Sequence, residues 1–200
     1  MKFMISGSHK HLDGEDKTQF KQACIELGKA MAEQGHTLLI CSHLEDTVDS
    51  YVVNGATSIP DSQICFYRVS AGTLVSHPTA DVFLYKQELV AKAVAATYVE
   101  SDEGWDSVIT DAIGDSDAVV VLGGGATGGV AVALKGAEVH SKPVILIPTF
   151  GGKAEETWQS FAALYTEEER KILREKYMQG NWGENIVKAA ISIAQRAERP

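Results

Sequence analysis

The chain has 200 residues, of which 44% are hydrophobic and 22% charged, and a formal net charge of −9. This is the balance of a globular protein with a full core. It argues against nucleic acid as a partner, because such binders usually present a basic surface. A small phosphorylated ligand stays open, since backbone N–H groups hold phosphate without basic side chains.

The three cysteines, Cys24, Cys41 and Cys65, show no CxxC spacing and sit in apolar patterns. They read as buried thiols in a reducing compartment, with no metal site and no bound cofactor expected. The opening "MKFMISGSHKH" holds too short an apolar run for a signal peptide. No segment approaches the ~18 apolar residues of a membrane span. The expected location is cytoplasmic, with no membrane partner.

In chain order the patterns alternate. Residues 2–6 form a short apolar strand. Residues 17–34 form a helix, with Phe20, Cys24, Leu27, Gly28 and Met31 on one face and Gly35 as its stop. A strand over 36–41 and a short helix over 47–55 follow, then a strand over 63–68, "QICFYR". Residues 69–81 are the longest weakly patterned stretch and read as a loop at the site. A further strand over 81–85 and a helix over 87–96 are expected next. Residues 105–113 form a helix with Val108, Ile109, Ala112 and Ile113 inward. Residues 118–122 are apolar on both faces, as in a parallel sheet covered by helices. A helix over 127–140, capped by Thr127, and a strand over 144–147 complete the alternation. Beyond Gly152 the patterns are helical only. "TEEERKILREKY" reads as a solvated face, and 186–197 as a last helix. "WQSFAALY", 158–165, is apolar enough to join an interface between copies.

Alternating strands and helices with crossovers of this length make an α/β fold: a Rossmann-like doubly wound parallel sheet with helices on both faces and extra C-terminal helices. One domain is expected, with a core over about 2–152 and a helical extension over about 153–200.

In such a sheet ligands bind outside the carboxyl ends of the strands. The loops there are "SGSHKH", "SHLED", "GGGATGG" and "PTFGG". Glycine lets a ligand reach backbone N–H groups, and a helix starting after the loop adds unpaired N–H groups and partial positive charge. Gly123, Gly124, Gly125, Ala126, Thr127, Gly128 and Gly129 are therefore the candidate phosphate loop. Gly7 and Ser8 help from the first loop. His9, like His11, can meet a phosphate or ribose there. Ser42 and His43 hold the equivalent place after the second strand, and Thr149 lies in the last loop.

Two familiar motifs come close and fail. Gly123, Gly125 and Gly128 match G-x-G-x-x-G, but the loop follows a late strand and the next strand ends in "IPTFGG" without a carboxylate. A P-loop needs lysine where Val130 stands. There is no G-x-S-x-G elbow.

The stretch "YVESDEGWD" gathers Glu100, Asp102, Glu103 and Asp106 before a helix. A carboxylate near a ribose could stabilise or attack an oxocarbenium-like centre, and Glu103 is the first catalytic candidate. The same residues could simply favour the helix dipole and face water. Trp105 and Tyr98 flank the stretch and could stack on a base. Arg68, at a strand end, could reach an anion.

The residues 2–40, "KFMISGSHKHLDGEDKTQFKQACIELGKAMAEQGHTLLI", and 115–152, "DSDAVVVLGGGATGGVAVALKGAEVHSKPVILIPTFGG", resemble the SLOG superfamily. These are Rossmann-like nucleotide-binding domains that include the cytokinin-activating LOG proteins. The resemblance covers roughly 2–152. It implies one of two functions. LOG enzymes hydrolyse the N-glycosidic bond of nucleoside monophosphates through a PGGxGTxxE loop and an upstream arginine. Other SLOG domains bind ADP-ribose or its cyclic forms, in antiphage effectors and in the cytosolic parts of cation channels.

On this chain Leu122 stands at the proline of the LOG pattern, Gly123 and Gly124 at its two glycines, Ala126 at the third, and Thr127 at its threonine. Its glutamates fall at Gly129 and Val130, and the 105–113 helix has no arginine. The resemblance therefore favours a signalling module that senses or sequesters a nucleotide-derived ligand. The alternative is an N-glycoside hydrolase or nucleoside (deoxy)ribosyltransferase. Relatives imply a homodimer or homotetramer, and a sensor without an output of its own implies a separate effector protein.

Overall fold

The computed structural model describes residues 1–42, 47–69, 95–101, 103–125, 127–178 and 180–197. Among these, six strands form one parallel sheet: β1 (Lys2–Ser8), β2 (Thr37–Ile40), β3 (Gln63–Val69), β4 (Ala95–Ser101), β5 (Ala118–Gly123) and β6 (Val144–Ile147). Their order is β4-β3-β2-β1-β5-β6. The helices are α1 (Gly14–Glu33), α2 (Val48–Ala56), α3 (Trp105–Asp115), α4 (Gly129–Val139), α5 (Gly152–Phe161), α6 (Glu167–Leu173) and α7 (Trp182–Ala197), with short 3₁₀ turns at Pro148–Phe150 and Ala162–Leu164.

The connections β1→β2→β3 step one way along the sheet, and β4→β5→β6 step the other way. Right-handed crossovers therefore place α1 and α2 on one face and α3 and α4 on the other. The packing agrees: α1 lies on α2 and α7, while α3 lies on α4. The Rossmann-like α/β fold expected from the alternation is the one observed. The direction reverses between β1 and β5, so the connections leaving their carboxyl ends turn to opposite faces and leave a crevice. Strands apolar on both faces fill the centre: Phe3, Met4 and Ile5 of β1 and Val119, Val120 and Val121 of β5 are essentially inaccessible.

Several expectations need correction. Residues 95–101 form β4, paired in register with β3 through Phe66↔Tyr98 and Arg68↔Glu100. The helix expected over 87–96 therefore does not extend through Ala95 and Ala96. Its remainder, the strand over 81–85 and most of the loop over 69–81 lie outside the described residues, as do His43, Asp102 and Ala126. Helix α4 begins at Gly129 with Gly128 as N-cap, and no side chain caps it. Thr127 is thus one residue too early to cap it: glycine at φ 90° makes the turn instead.

The charged "TEEERKILREKY" is not one solvated helix. It stops at Leu173, and its Glu169 is buried. Thr166 and Glu169 form a reciprocal capping box, and Arg196 of α7 grips the Glu169 carboxylate with two bonds of 2.7 Å. In "WQSFAALY", Trp158 and Tyr165 belong to the core, and the Tyr165 hydroxyl donates to the Val144 carbonyl at 2.8 Å. Helix α7 closes on α1 where Gly183 meets the Glu26 backbone, at a Cβ position only 2.7 Å from its carbonyl oxygen. Cys24 and Cys41 are buried and Cys65 half-buried. Burial, with Asp49 nearby, pushes the Cys24 thiol well above its ordinary range. No described helix is long and apolar enough to cross a membrane.

Candidate functional site

A cleft of about 780 Å³ opens at the carboxyl ends of β1 and β5. That volume suits a small-molecule ligand. The strands converge there in register, Gly7 beside Leu122 and Ser8 beside Gly123. Gly7 must be glycine for packing: a Cβ would stand 2.1 Å from the Leu122 carbonyl oxygen and 2.7 Å from a Val48 methyl.

The glycine loop divides into two kinds of position. Gly123 and Gly124 are buried and do not line the cleft. A Cβ at Gly124 would meet a Val130 methyl at 2.5 Å, and one at Gly123 the Ser8 carbonyl oxygen at 2.7 Å. Their backbone bonds hold the loop: Gly124 N–H donates to Ser8 O at 2.9 Å, and Lys153 N–H to Gly124 O at 2.8 Å. Gly125, Thr127, Gly128 and Gly129 are exposed and line the cleft. Around Gly128 a Cβ would find open space, and at Gly129 it would find only an Ile109 methyl at 3.7 Å. Packing therefore explains the inner pair and does not explain Gly129. The first N–H groups of α4 lack intrahelical acceptors by construction, and they begin at this wall.

Opposite this wall lies the loop after β2. Asp49, buried in the first turn of α2, accepts from the Cys41 N–H at 3.0 Å and the Ser42 N–H at 2.8 Å with one oxygen. This fixes where Ser42 enters the cleft. Ser8 bridges to Thr47, so the β1 and β2 loops are joined. Cys41, Ile109, Val130 and half-buried Trp105 supply apolar lining, while Lys10 supplies a cation. The cleft thus combines an amide-rich rim with an apolar wall that carries an indole.

Other candidates stand elsewhere. His9 is 1% exposed, and its ring packs on Phe20 and Tyr51, with Nε2 3.0 Å from the Tyr51 hydroxyl. It serves the core rather than the cleft, and a turn closed by the Leu12 N–H on the His9 carbonyl at 2.8 Å separates it from the residues that follow. Its neighbour two residues on, His11, lines the cleft instead. Thr149 gives its hydroxyl to the Leu173 and Glu175 carbonyls, at 3.3 and 3.0 Å, and does not reach the cleft. Glu103 is exposed outside the lining, and its carboxylate accepts from Ser107 Oγ at 3.3 Å. Among the described carboxylates of that stretch, Asp106, in the first turn of α3, lines the cleft. Glu100 pairs with Arg68 across the β3–β4 register. Among the described residues no cluster of three or more His, Cys, Asp or Glu could hold a metal ion.

Sequence reasoning missed Lys10 and Asp49, and within the acidic stretch it put Glu103 ahead of Asp106. Lys10 sat in the quoted loop, and its offset from the strand end was the signal. Nothing local marked Asp49, whose role depends on where α2 starts relative to β2.

No known protein family matches the chain, and no curated protein does. Solved structures do match. TM1055, a structural-genomics target, aligns over 96% of this chain and 98% of its own, with 16% identity and a TM-score of 0.62. DNA processing protein A from Helicobacter pylori, whose single-stranded DNA binding has been described, aligns over 95% and 81%, with 16% identity and a TM-score of 0.60. The molybdenum cofactor carrier protein of Chlamydomonas reinhardtii aligns over 81% and 83%, with 18% identity and a TM-score of 0.52. The molybdenum cofactor binding protein of Rippkaea orientalis aligns over 96% of each chain, with 16% identity and a TM-score of 0.51. At these identities the likeness shows a shared Rossmann-like fold.

Proposed function

We propose that the cleft binds a small ligand made of a phosphate and a flat heteroaromatic ring, as a SLOG-type sensor or sequestering module. The observation that carries the reading is Gly129. It opens α4 at the cleft wall without a packing reason to be glycine, and it faces a lining that holds Lys10 and Trp105. Phosphate at the α4 N-terminus would gain about 1 kcal/mol from the dipole, besides its hydrogen bonds. A ring stacked on an indole gains roughly 1–3 kcal/mol.

ADP-ribose, its cyclic forms and nucleoside phosphates fit this description. The molybdenum cofactor is a further candidate, since two proteins of like fold are named for carrying or binding it. The net charge of −9 weighs against DNA despite the shared fold with a DNA-binding protein. A homodimer or homotetramer, and a separate effector, would turn binding into an output.

A second reading has Asp106 in its favour, a carboxylate in the cleft. In it the protein cleaves or transfers an N-glycosidic bond, with Asp106 in place of Glu103 beside the ribose. One experiment separates the two. The protein is incubated with AMP, NAD, ADP-ribose, cyclic ADP-ribose and an extract containing the molybdenum cofactor, then filtered and read by mass spectrometry. Intact ligand retained with the protein supports the binding module. A released base or a new ribosyl product supports chemistry, and its loss in Asp106→Asn would assign it. Retention of none overturns the phosphate reading of the loop.

A further inference from the structure

We propose that His11 is a proton-dependent anion contact of this cleft: its Nδ1, once protonated, donates to the ligand's phosphate, so ligand binding takes up a proton. The inference rests on the phosphate reading above and adds a residue and a pH dependence to it.

The geometry fixes the ring. His11 Nε2 lies 2.8 Å from the Phe150 carbonyl oxygen. A carbonyl only accepts, so Nε2 carries the hydrogen and the neutral ring has a bare lone pair on Nδ1. The edge Cε1–Nε2–Cδ2 is pressed into the loops after β5 and β6. Cε1 stands 3.0 Å from the Cβ position of Gly123 and 2.8 Å from that of Gly152, and Nε2 3.8 Å from that of Gly151. Both Gly123 and Gly152 have positive φ, 59° and 65°, so any other residue would strain the backbone and push the ring out. The nearest obstacles at those two positions are backbone, Ser8 O at 2.7 Å and Gly124 O at 2.5 Å, and the imidazole edge packs beside them.

His11 is nonetheless exposed and lines the cleft. Nδ1 has no hydrogen-bond partner among the described residues. A ring clamped along one edge presents the other nitrogen at a fixed place. Neutral, that nitrogen offers a lone pair that repels phosphate. Protonated, both nitrogens donate, and the Phe150 bond stays made in either state. The switch needs no rearrangement.

The surrounding charges come from three elements. Lys10 stands on the same loop. From α5, the Glu155 carboxylate lies with Oε2 3.5 Å from the Gly151 Cβ position, and Lys153 is engaged by Glu156 at 3.3 Å. Helix α1 opens with Glu15 and Asp16 and sets the Phe20 ring beside Gly123. The β5 loop contributes no charged side chain at Gly123 or Gly124. A bound phosphate supplies the missing negative charge directly.

The test compares wild type with His11→Gln, by calorimetric titration of AMP and of ADP-ribose between pH 8 and 5.5. The ligand's own ionisation is common to both proteins and cancels in the ratio of their dissociation constants. That ratio is expected near unity at pH 8, with the variant roughly tenfold weaker at pH 5.5. Titration of wild type with ADP-ribose, whose diphosphate stays fully ionised over this range, in two buffers of different ionisation enthalpy reads proton uptake without any variant. It covers the case in which His11→Gln fails to fold. A ratio independent of pH, or binding without proton uptake, overturns the inference and leaves the ligand reading standing. A wild-type preference that grows with rising pH overturns it too, since Nδ1 would then be accepting from a ligand hydroxyl. Failure of both ligands to bind overturns the phosphate reading, and this inference with it.

Discussion

Gly28 of α1 and Gly55 of α2 each face the backbone of the opposite helix where the two helices cross. A Cβ on Gly28 would stand 2.0 Å from the Val52 carbonyl oxygen, and one on Gly55 would stand 1.9 Å from the Ile25 carbonyl oxygen. Each glycine lets the other helix's backbone approach. Val48 and Asp49, in the first turn of α2, depend on that approach for their places: Val48 against Gly7, Asp49 on the loop after β2.

Gly28→Ala meets backbone atoms, which cannot swing aside as a side chain can. A destabilisation of about 3 kcal/mol is expected, at the upper end of overpacking. Urea unfolding followed by circular dichroism measures it. Unchanged stability would mean that the helices slide apart at little cost.

Gly129→Glu makes the opposite test. The position has room for a side chain, and the glutamate of the LOG pattern falls here. Stability should stay within about 0.5 kcal/mol. A carboxylate at the helix start would compete with ligand phosphate, and affinity for whichever ligand is retained should fall at least roughly tenfold. Undiminished binding would move the phosphate away from α4.

Trp105→Ala separates stacking from packing. The indole is half-buried against the core and lines the cleft. Loss of the ring should weaken a heteroaromatic ligand by roughly 1–3 kcal/mol and leave inorganic phosphate unaffected. Equal losses for both probes would point to a collapsed wall rather than a lost stack.

Glu169 links α6 to α7 and makes stability depend on pH. Burial alone would raise its carboxyl. The Arg196 guanidinium, the Thr166 N–H and the Ser192 hydroxyl outweigh burial and hold it at about 2. The folded value lies below the ordinary one, so the contribution is full above the ordinary carboxylate range and is lost as pH falls toward 2. Glu169→Gln should cost on the order of 3 kcal/mol at pH 7 and progressively less toward pH 2. Denaturant midpoints at pH 7 and pH 3 give the comparison. A constant difference would show that packing, not charge, carries the effect.

The alternation of strand and helix, the doubly apolar strand β5 and the glycine-rich turn after it were legible in the sequence, because local periodicity reports which faces are covered. The same information placed the crevice at the strand ends. Tertiary structure decided what local pattern cannot encode. β4, "AATYVES", begins inside a stretch with a helical pattern and becomes a strand because β3 offers it an edge. Of the glycines in one loop, Gly123 and Gly124 answer to Ser8 and Val130, and Gly129 to nothing but the cleft. His9 and His11 differ by two positions, and one is sealed in the core while the other lines the cleft. Glu169 looked like one more solvated acid until Arg196, 27 residues away, was set against it. Periodicity is a property of neighbours along the chain, whereas a cleft and an ion pair are made by groups that only folding brings together.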